Sequence, residues 1–189
     1  DHRVACPKAG VLASRGFAIE AAAARICREA GARVMMNILI RDLNIEGAPN
    51  GARRIQIVVI SLPLFEGSQL VVDITLISPI RTNELPTRNI YARNGIALAR
   101  TRRRKERTYP ELVGEGSRCR LVVVAIETGG RFSTEAITFL QQLAHSKARS
   151  EPNILQKSIS WLRRWISILA CASQRALAGT LLHLPGSQY

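Results

Sequence analysis

Apolar positions change their period several times along the chain. In residues 14–30, Ile19, Ala23, Ile26, Cys27 and Ala30 recur at helical spacing, and Gly31 supplies a stop. Residues 33–41 hold Val34, Met35, Met36, Ile38, Leu39 and Ile40, a density that predicts a strand. The turn cluster Gly47, Pro49, Asn50 and Gly51 leads into residues 54–62, where Ile55, Ile57, Val58, Val59 and Ile60 predict a second strand. Residues 63–68 turn, and residues 69–78 form a third strand ended by Pro79. Two strands around so short a loop predict a hairpin.

Residues 80–94 are polar and irregular, and a helix is predicted over 95–109, ended by Pro110. Residues 114–117 turn into a strand over 120–127, so uniformly apolar that a central place in the sheet is expected. Ser133 has the chemistry of an N-cap, with Glu135 in the first turn and Ala136, Phe139, Leu140, Leu143 and Ala144 at helical spacing. After a linker at 150–153, a long helix runs to about Leu184 with a stripe of Leu162, Trp165, Ile166, Leu169 and Leu177. The order is helix, three strands, helix, strand, helix, helix. It predicts an α/β fold in which a mixed sheet of about four strands is flanked by helices, with a C-terminal helical extension.

Composition sharpens this. With 189 residues, 47% hydrophobic and 22% charged, the chain has the balance of one folded domain. Its 27 Lys and Arg against 14 Asp and Glu leave a formal charge of +13. Such an excess is self-repulsive, and a polyanion relieves it. Its distribution favours nucleic acid over a membrane surface, because Arg100, Arg102, Arg103, Arg104, Lys105 and Arg107 crowd into eight positions of one helix. A solvated helical face is the plainer reading of that run. The apolar stretch 166–184 is interrupted by Gln174 and Arg175 and is expected to be a buried or amphipathic helix, not a membrane span. Cys6, Cys27, Cys119 and Cys171 form no CxxC pair, which favours a reducing, intracellular compartment. Aromatic residues, at 5%, are too few for the base-stacking sheets of common single-strand binders. There is no secretory signal pattern, Gly-rich phosphate loop or Ser/His/Asp arrangement. The missing initiator Met suggests a piece of a longer chain.

Candidate chemistry starts at Asp73, a lone carboxylate within Leu-Val-Val-Asp-Ile-Thr-Leu-Ile. Val71, Asp73, Thr75 and Ile77 share one face of that strand. Burying an unpaired carboxylate costs several kcal/mol, so a cation, a metal ion or a strand-end position must compensate. Gln56 is the matching polar residue on the preceding strand, Glu127 ends the last strand, and Glu20 lies on the first helix. Carboxylates at strand ends are frequent metal and catalytic positions. Lys105 and Tyr109, four apart, share a helix face, and a lysine beside a metal-bound phosphodiester stabilises charge or positions water.

Carboxylate on a helix, polar residue on a strand, Asp on the next strand and Lys on a helix is an order that resembles the PD-(D/E)xK restriction-like nuclease core. More closely, residues 1–185 resemble the restriction-like endonuclease end of certain non-LTR retrotransposon reverse-transcriptase polyproteins. The likeness is carried by 9–20 (AGVLASRGFAIE), 27–44, 53–79 (RRIQIVVISLPLFEGSQLVVDITLISP), 103–112 (RRKERTYPEL) and 118–135. It implies a metal-dependent DNA endonuclease using Mg²⁺ or Mn²⁺ on Asp73, with Lys105 and Tyr109 matching the family's Lys-x-x-x-Tyr. Its expected partners are DNA or RNA and the rest of a polyprotein, in the nucleus.

Two departures matter. Gln56 stands where the family has an acidic residue, and Thr75 stands where the (D/E)xK lysine would fall, so the lysine has to come from Lys105. Divalent affinity depends on ligand charge, so the chain is an active nuclease, a degenerate copy that keeps the fold and the nucleic-acid affinity, or a structural module of the same fold. His2 and Cys6 are spaced like half of the zinc knuckle that precedes such nucleases; two ligands make no structural site, and no zinc is expected. The expected division is a knuckle remnant over 1–12, the nuclease-like core over 13–149 and a helical extension over 150–189.

Overall fold

A computed structural model describes residues 11–43, 45, 52–80, 85–86, 94–113 and 119–182. Helix α1 (Val11–Glu29) leads into strands β1 (Arg33–Leu39), β2 (Arg54–Ile60) and β3 (Gln69–Ile77); helix α2 (Ile96–Thr108), strand β4 (Cys119–Glu127) and helices α3 (Thr134–Ala148) and α4 (Ile154–Leu182) follow. The fold is α/β: a four-stranded mixed sheet in the order β1-β2-β3-β4, flanked by helices. β1, β2 and β3 are antiparallel, and β4 runs parallel to β3, with Asp73 in register with Val123. The element order and the β2–β3 hairpin match the expectation. His2 and Cys6 lie outside the described residues.

The strand over 119–127 is not central. β4 ends the sheet order, and its apolar character has another cause. Val122, Val124 and Ile126 face one core cluster while Leu121, Val123 and Ala125 face the other, so helices cover both sides. Its edge is covered too. Ser133 donates its N–H to the Ala125 carbonyl at 2.9 Å, the Glu127 N–H reaches the Arg131 carbonyl at 2.8 Å, and the Val123 N–H reaches Glu135 Oε1 at 3.1 Å. Over Val123–Glu127 an edge so covered offers no template for another chain. Ser133 also caps α3, accepting the Ala136 N–H at 3.1 Å.

Alternation along β3 divides the core. Leu70, Val72, Ile74 and Leu76 pack toward α1, α3 and α4; Val71 and Ile77 pack toward Leu98 of α2, with Tyr109 and Leu112. In β1 and β2 the alternation switches. Val34, Met36, Ile57 and Val59 join the first cluster, whereas Ile38 and Ile55 join the second. The switch falls where Asn37 and Gln56 lie opposite each other, between the paired positions Met36↔Ile57 and Ile38↔Ile55. Asn37 has φ 57°, a left-handed conformation that asparagine tolerates better than most residues.

α4 is long and apolar enough, by length and composition, to cross a membrane. Here its seam of Trp165, Leu169, Ser173, Ala176 and Thr180 is buried, with α1 and α3 as its packing partners. Glu29, at the end of α1, ties the pair. It accepts the Trp165 indole N–H at 3.0 Å and two Arg164 hydrogen bonds at 3.2 and 3.0 Å.

Candidate functional site

Asp73 lies mid-strand on β3 with only 2% of its surface exposed, so the cost of burying its charge has to be met by neighbours. Three groups meet it. Lys105 Nζ of α2 donates to Oδ2 at 2.8 Å, the Thr75 hydroxyl donates to Oδ1 at 3.1 Å, and the Tyr109 hydroxyl donates to the same carboxylate. Of the compensations open from sequence, the cation is the one observed. The helix supplies it by simple periodicity. Ala97, Thr101, Lys105 and Tyr109 recur every fourth residue, and Ala97, Thr101 and Tyr109 are buried. Burial, then the Asp73 charge, then the hydrogen bond to Asp73 push the Tyr109 phenol up to about 12.

Gln56 sits one position beyond the last β2–β3 pair, Ile57↔Val72, and so stands across from Asp73. Its side chain does another job. Gln56 Oε1 accepts the Ile74 N–H at 2.5 Å, replacing a backbone carbonyl where the two strands stop pairing. Glu20 of α1 lies within electrostatic reach of the cluster. Burial raises its carboxyl above the ordinary 4.5, the Asp73 charge adds to the rise, and Lys105 opposes it. A methyl group on Gly16 would come within 3.1 Å of Glu20 Oε1, so the carboxylate lies back over that glycine.

Glu127 is not brought to this group. It is in register with Ile77, four positions beyond Asp73 and Val123, or about 13 Å along the sheet. Its neighbour is Arg131, 3.8 Å away.

The basic run on α2 divides. Arg100, Arg103, Arg104 and Arg107 are exposed and follow i, i+3, i+4, i+7 spacing, which puts them on one face. Arg102 belongs elsewhere. Its Nε lies 3.3 Å from both Glu106 Oε1 and Glu135 Oε2. Burial raises the Glu135 carboxyl, against the lowering effects of the Val123 N–H and Arg102. Sequence reasoning missed Thr75 as a partner of Asp73, although their i, i+2 spacing signalled a shared face. It also missed Glu135, which carried no such signal.

Chemically, the cluster is a buried carboxylate held by one cation and two hydroxyl donors, with a second carboxyl nearby. Among the described residues no three His, Cys, Asp or Glu side chains gather as a metal-ligand group. Mg²⁺ asks for less, taking one or two carboxylates and completing its shell with water and substrate phosphate; Asp73, with Glu20 in electrostatic reach, is the carboxylate that would have to supply it. No family model matches the chain, and no curated protein matches it.

Proposed function

We propose that this domain binds DNA along the arginine face of α2, and that the Asp73 cluster is a phosphodiester-cleaving site of the restriction-endonuclease-like kind, weakened by Gln56. One observation carries the reading. Asp73 and Lys105, 32 positions apart, meet at 2.8 Å, and Tyr109 joins them on the same carboxylate. These are the residues the retrotransposon endonuclease resemblance picks out, and nothing in their sequence separation requires them to converge.

In this reading, Asp73 and Glu20 would hold Mg²⁺ or Mn²⁺, which would supply positive charge to activate water and neutralise phosphate. Lys105 orients the carboxylate and adds a second positive charge, and Tyr109 fixes the carboxylate from the other side. The partners are DNA or RNA and the remainder of a polyprotein, in the nucleus, with no membrane involved.

The test is nicking of supercoiled plasmid with Mg²⁺ or Mn²⁺. Nicking is expected from the native chain and lost in Asp73→Ala; equal nicking by both sinks the proposal. A second reading, a binding module without cleavage, is favoured by the commitment of Gln56 Oε1 to the Ile74 N–H. Salt-sensitive DNA binding without nicking, with nicking acquired by Gln56→Glu, selects that reading instead.

A further inference from the structure

Glu135 stands at the β4 edge, where three elements meet. It lies in the first turn of α3, two residues after the Ser133 cap, where the helix dipole favours a carboxylate. Its Oε1 accepts the Val123 N–H at 3.1 Å, which ties the side chain to the sheet as well as to its own helix. Its Oε2 lies 3.3 Å from Arg102 Nε of α2. Arg102 Nη1 is buried, so this guanidinium reaches into the protein and not out to solvent with the arginine face. Glu106 also lies 3.3 Å from Arg102 Nε, but it rides on the same helix and cannot fix where that helix lies.

Val123 is in register with Asp73, so Asp73, Val123 and Glu135 form one row across β3, β4 and the covered edge. On α2, Lys105 reaches one end of that row at 2.8 Å and Arg102 reaches the other. The spacings agree. Three residues of helix rise about 4.5 Å, close to the roughly 4.8 Å between neighbouring strands, and two long side chains span the rest. The buried residues within α2 are Ala97, Leu98 and Thr101, all in its first half. Past them, the two ion pairs hold the middle of the helix to the sheet.

We infer that Glu135 is a positioning residue of the Asp73 cluster: through Arg102 it fixes the station of α2 across β4 and so sets Lys105 against Asp73. Its bearing on chemistry rests on the function proposed above; the positioning itself does not. The rival role is local, with Glu135 covering the β4 edge and doing nothing for α2.

The experiment measures how strongly Lys105 and Asp73 are coupled in the full chain. Urea unfolding at pH 7, without DNA or divalent ion, is followed for the native protein, Lys105→Met, Asp73→Asn and the double variant, and the four stabilities give the coupling. The cycle is then repeated on Glu135→Gln and on Glu106→Gln. Glu135→Gln keeps an oxygen for the Val123 N–H and loses the charge facing Arg102. The coupling is expected to fall to less than half its native size in Glu135→Gln and to stay as in the native chain in Glu106→Gln. A local edge role lowers all four stabilities alike and leaves the coupling as it was. That result overturns the inference, as does an equal fall in both backgrounds.

Arg102→Gln breaks the same link from the other side and leaves Glu135 on Val123, so it decides the matter if a member of the Glu135→Gln cycle does not fold. The same fall in coupling is expected there. An unchanged coupling, or failure of both cycles to fold, makes the pair a general structural one and overturns positioning. Neither DNA nor metal enters these measurements, so a chain that nicks no plasmid defeats the proposed function and leaves this result standing.

Discussion

The side-chain oxygen of Gln56 accepts the backbone N–H of Ile74 at 2.5 Å, one residue beyond the last pair joining β2 to β3. A carboxylate of the same length accepts that N–H equally well. Gln56→Glu therefore keeps the fold and adds a negative charge across from Asp73. Without metal, the like charges disfavour each other, and melting falls slightly. With Mg²⁺, the variant gains more in melting temperature than the native chain does, since binding stabilises by RT ln(1 + [L]/Kd). Equal Mg²⁺ shifts in the two proteins contradict a metal site at this end of the hairpin.

Lys105 leaves a buried charge behind when it is removed. Asp73 then keeps only two hydroxyl donors, so Lys105→Met is expected to destabilise by about 3 kcal/mol in urea unfolding at pH 7. Lys105→Met with Asp73→Asn removes both charges and recovers most of that loss. A double variant as unstable as the sum of the singles denies the coupling seen at 2.8 Å.

Glu20 has a pH signature. Its folded value is raised above 4.5, so the folded chain holds this proton to higher pH than the unfolded chain does. The penalty for ionising it opens as pH rises past 4.5 and is complete above the raised value. Glu20→Gln should match the native protein in acid and exceed it in stability at neutral pH. Saturating Mg²⁺ should narrow that gap, because an ion on Asp73 and Glu20 favours the charged form. Stability curves that stay parallel across the range would leave Glu20 an ordinary solvated residue.

Much of this was legible in the chain. Period-two alternation put Asp73 and Thr75 on one face, and the four-residue spacing of Lys105 and Tyr109 put them on another. What sequence does not encode locally is the choice of distant partner. Gln56 owes its role to the facing switch opposite Asn37, and nothing in Arg-Ile-Gln-Ile announces it. The apolar run of β4 reads as a central strand because burial on both faces leaves the same pattern at an edge covered by helices and a return segment. Arg102 looks like its neighbours in the basic run until Glu135, 33 positions later, takes it into an ion pair.

That division of the run makes a quantitative prediction. Each phosphate contact contributes about 0.9 to the slope of log affinity against log salt. Replacing Arg100, Arg103, Arg104 and Arg107 with Gln should lower the slope substantially, by up to about 3.6 if all four meet phosphates. Arg102→Gln should leave it nearly unchanged, its guanidinium being held by Glu106 and Glu135. Equal losses from Arg102 and from each exposed arginine would mean that the whole run meets DNA.

Finally, α4 can be tested as part of the core. Trp165 is fully buried and donates to Glu29, so Trp165→Ala removes a large side chain and one of the donors on that carboxylate. A loss of about 3–5 kcal/mol in urea unfolding is expected from the cavity. Glu29 adds a pH dependence of the opposite sign to that of Glu20. The Arg164 hydrogen bonds lead in lowering its carboxyl to about 2, with Trp165 and Arg25 contributing, so its stabilisation is full above 4.5 and fades as pH falls toward 2. Glu29→Gln should thus be less stable than the native chain at pH 7 and close the gap in acid. If Trp165→Ala unfolds like the native protein, α4 is not packed on α1 in solution. Its length and apolar composition would then have to serve a surface other than the core.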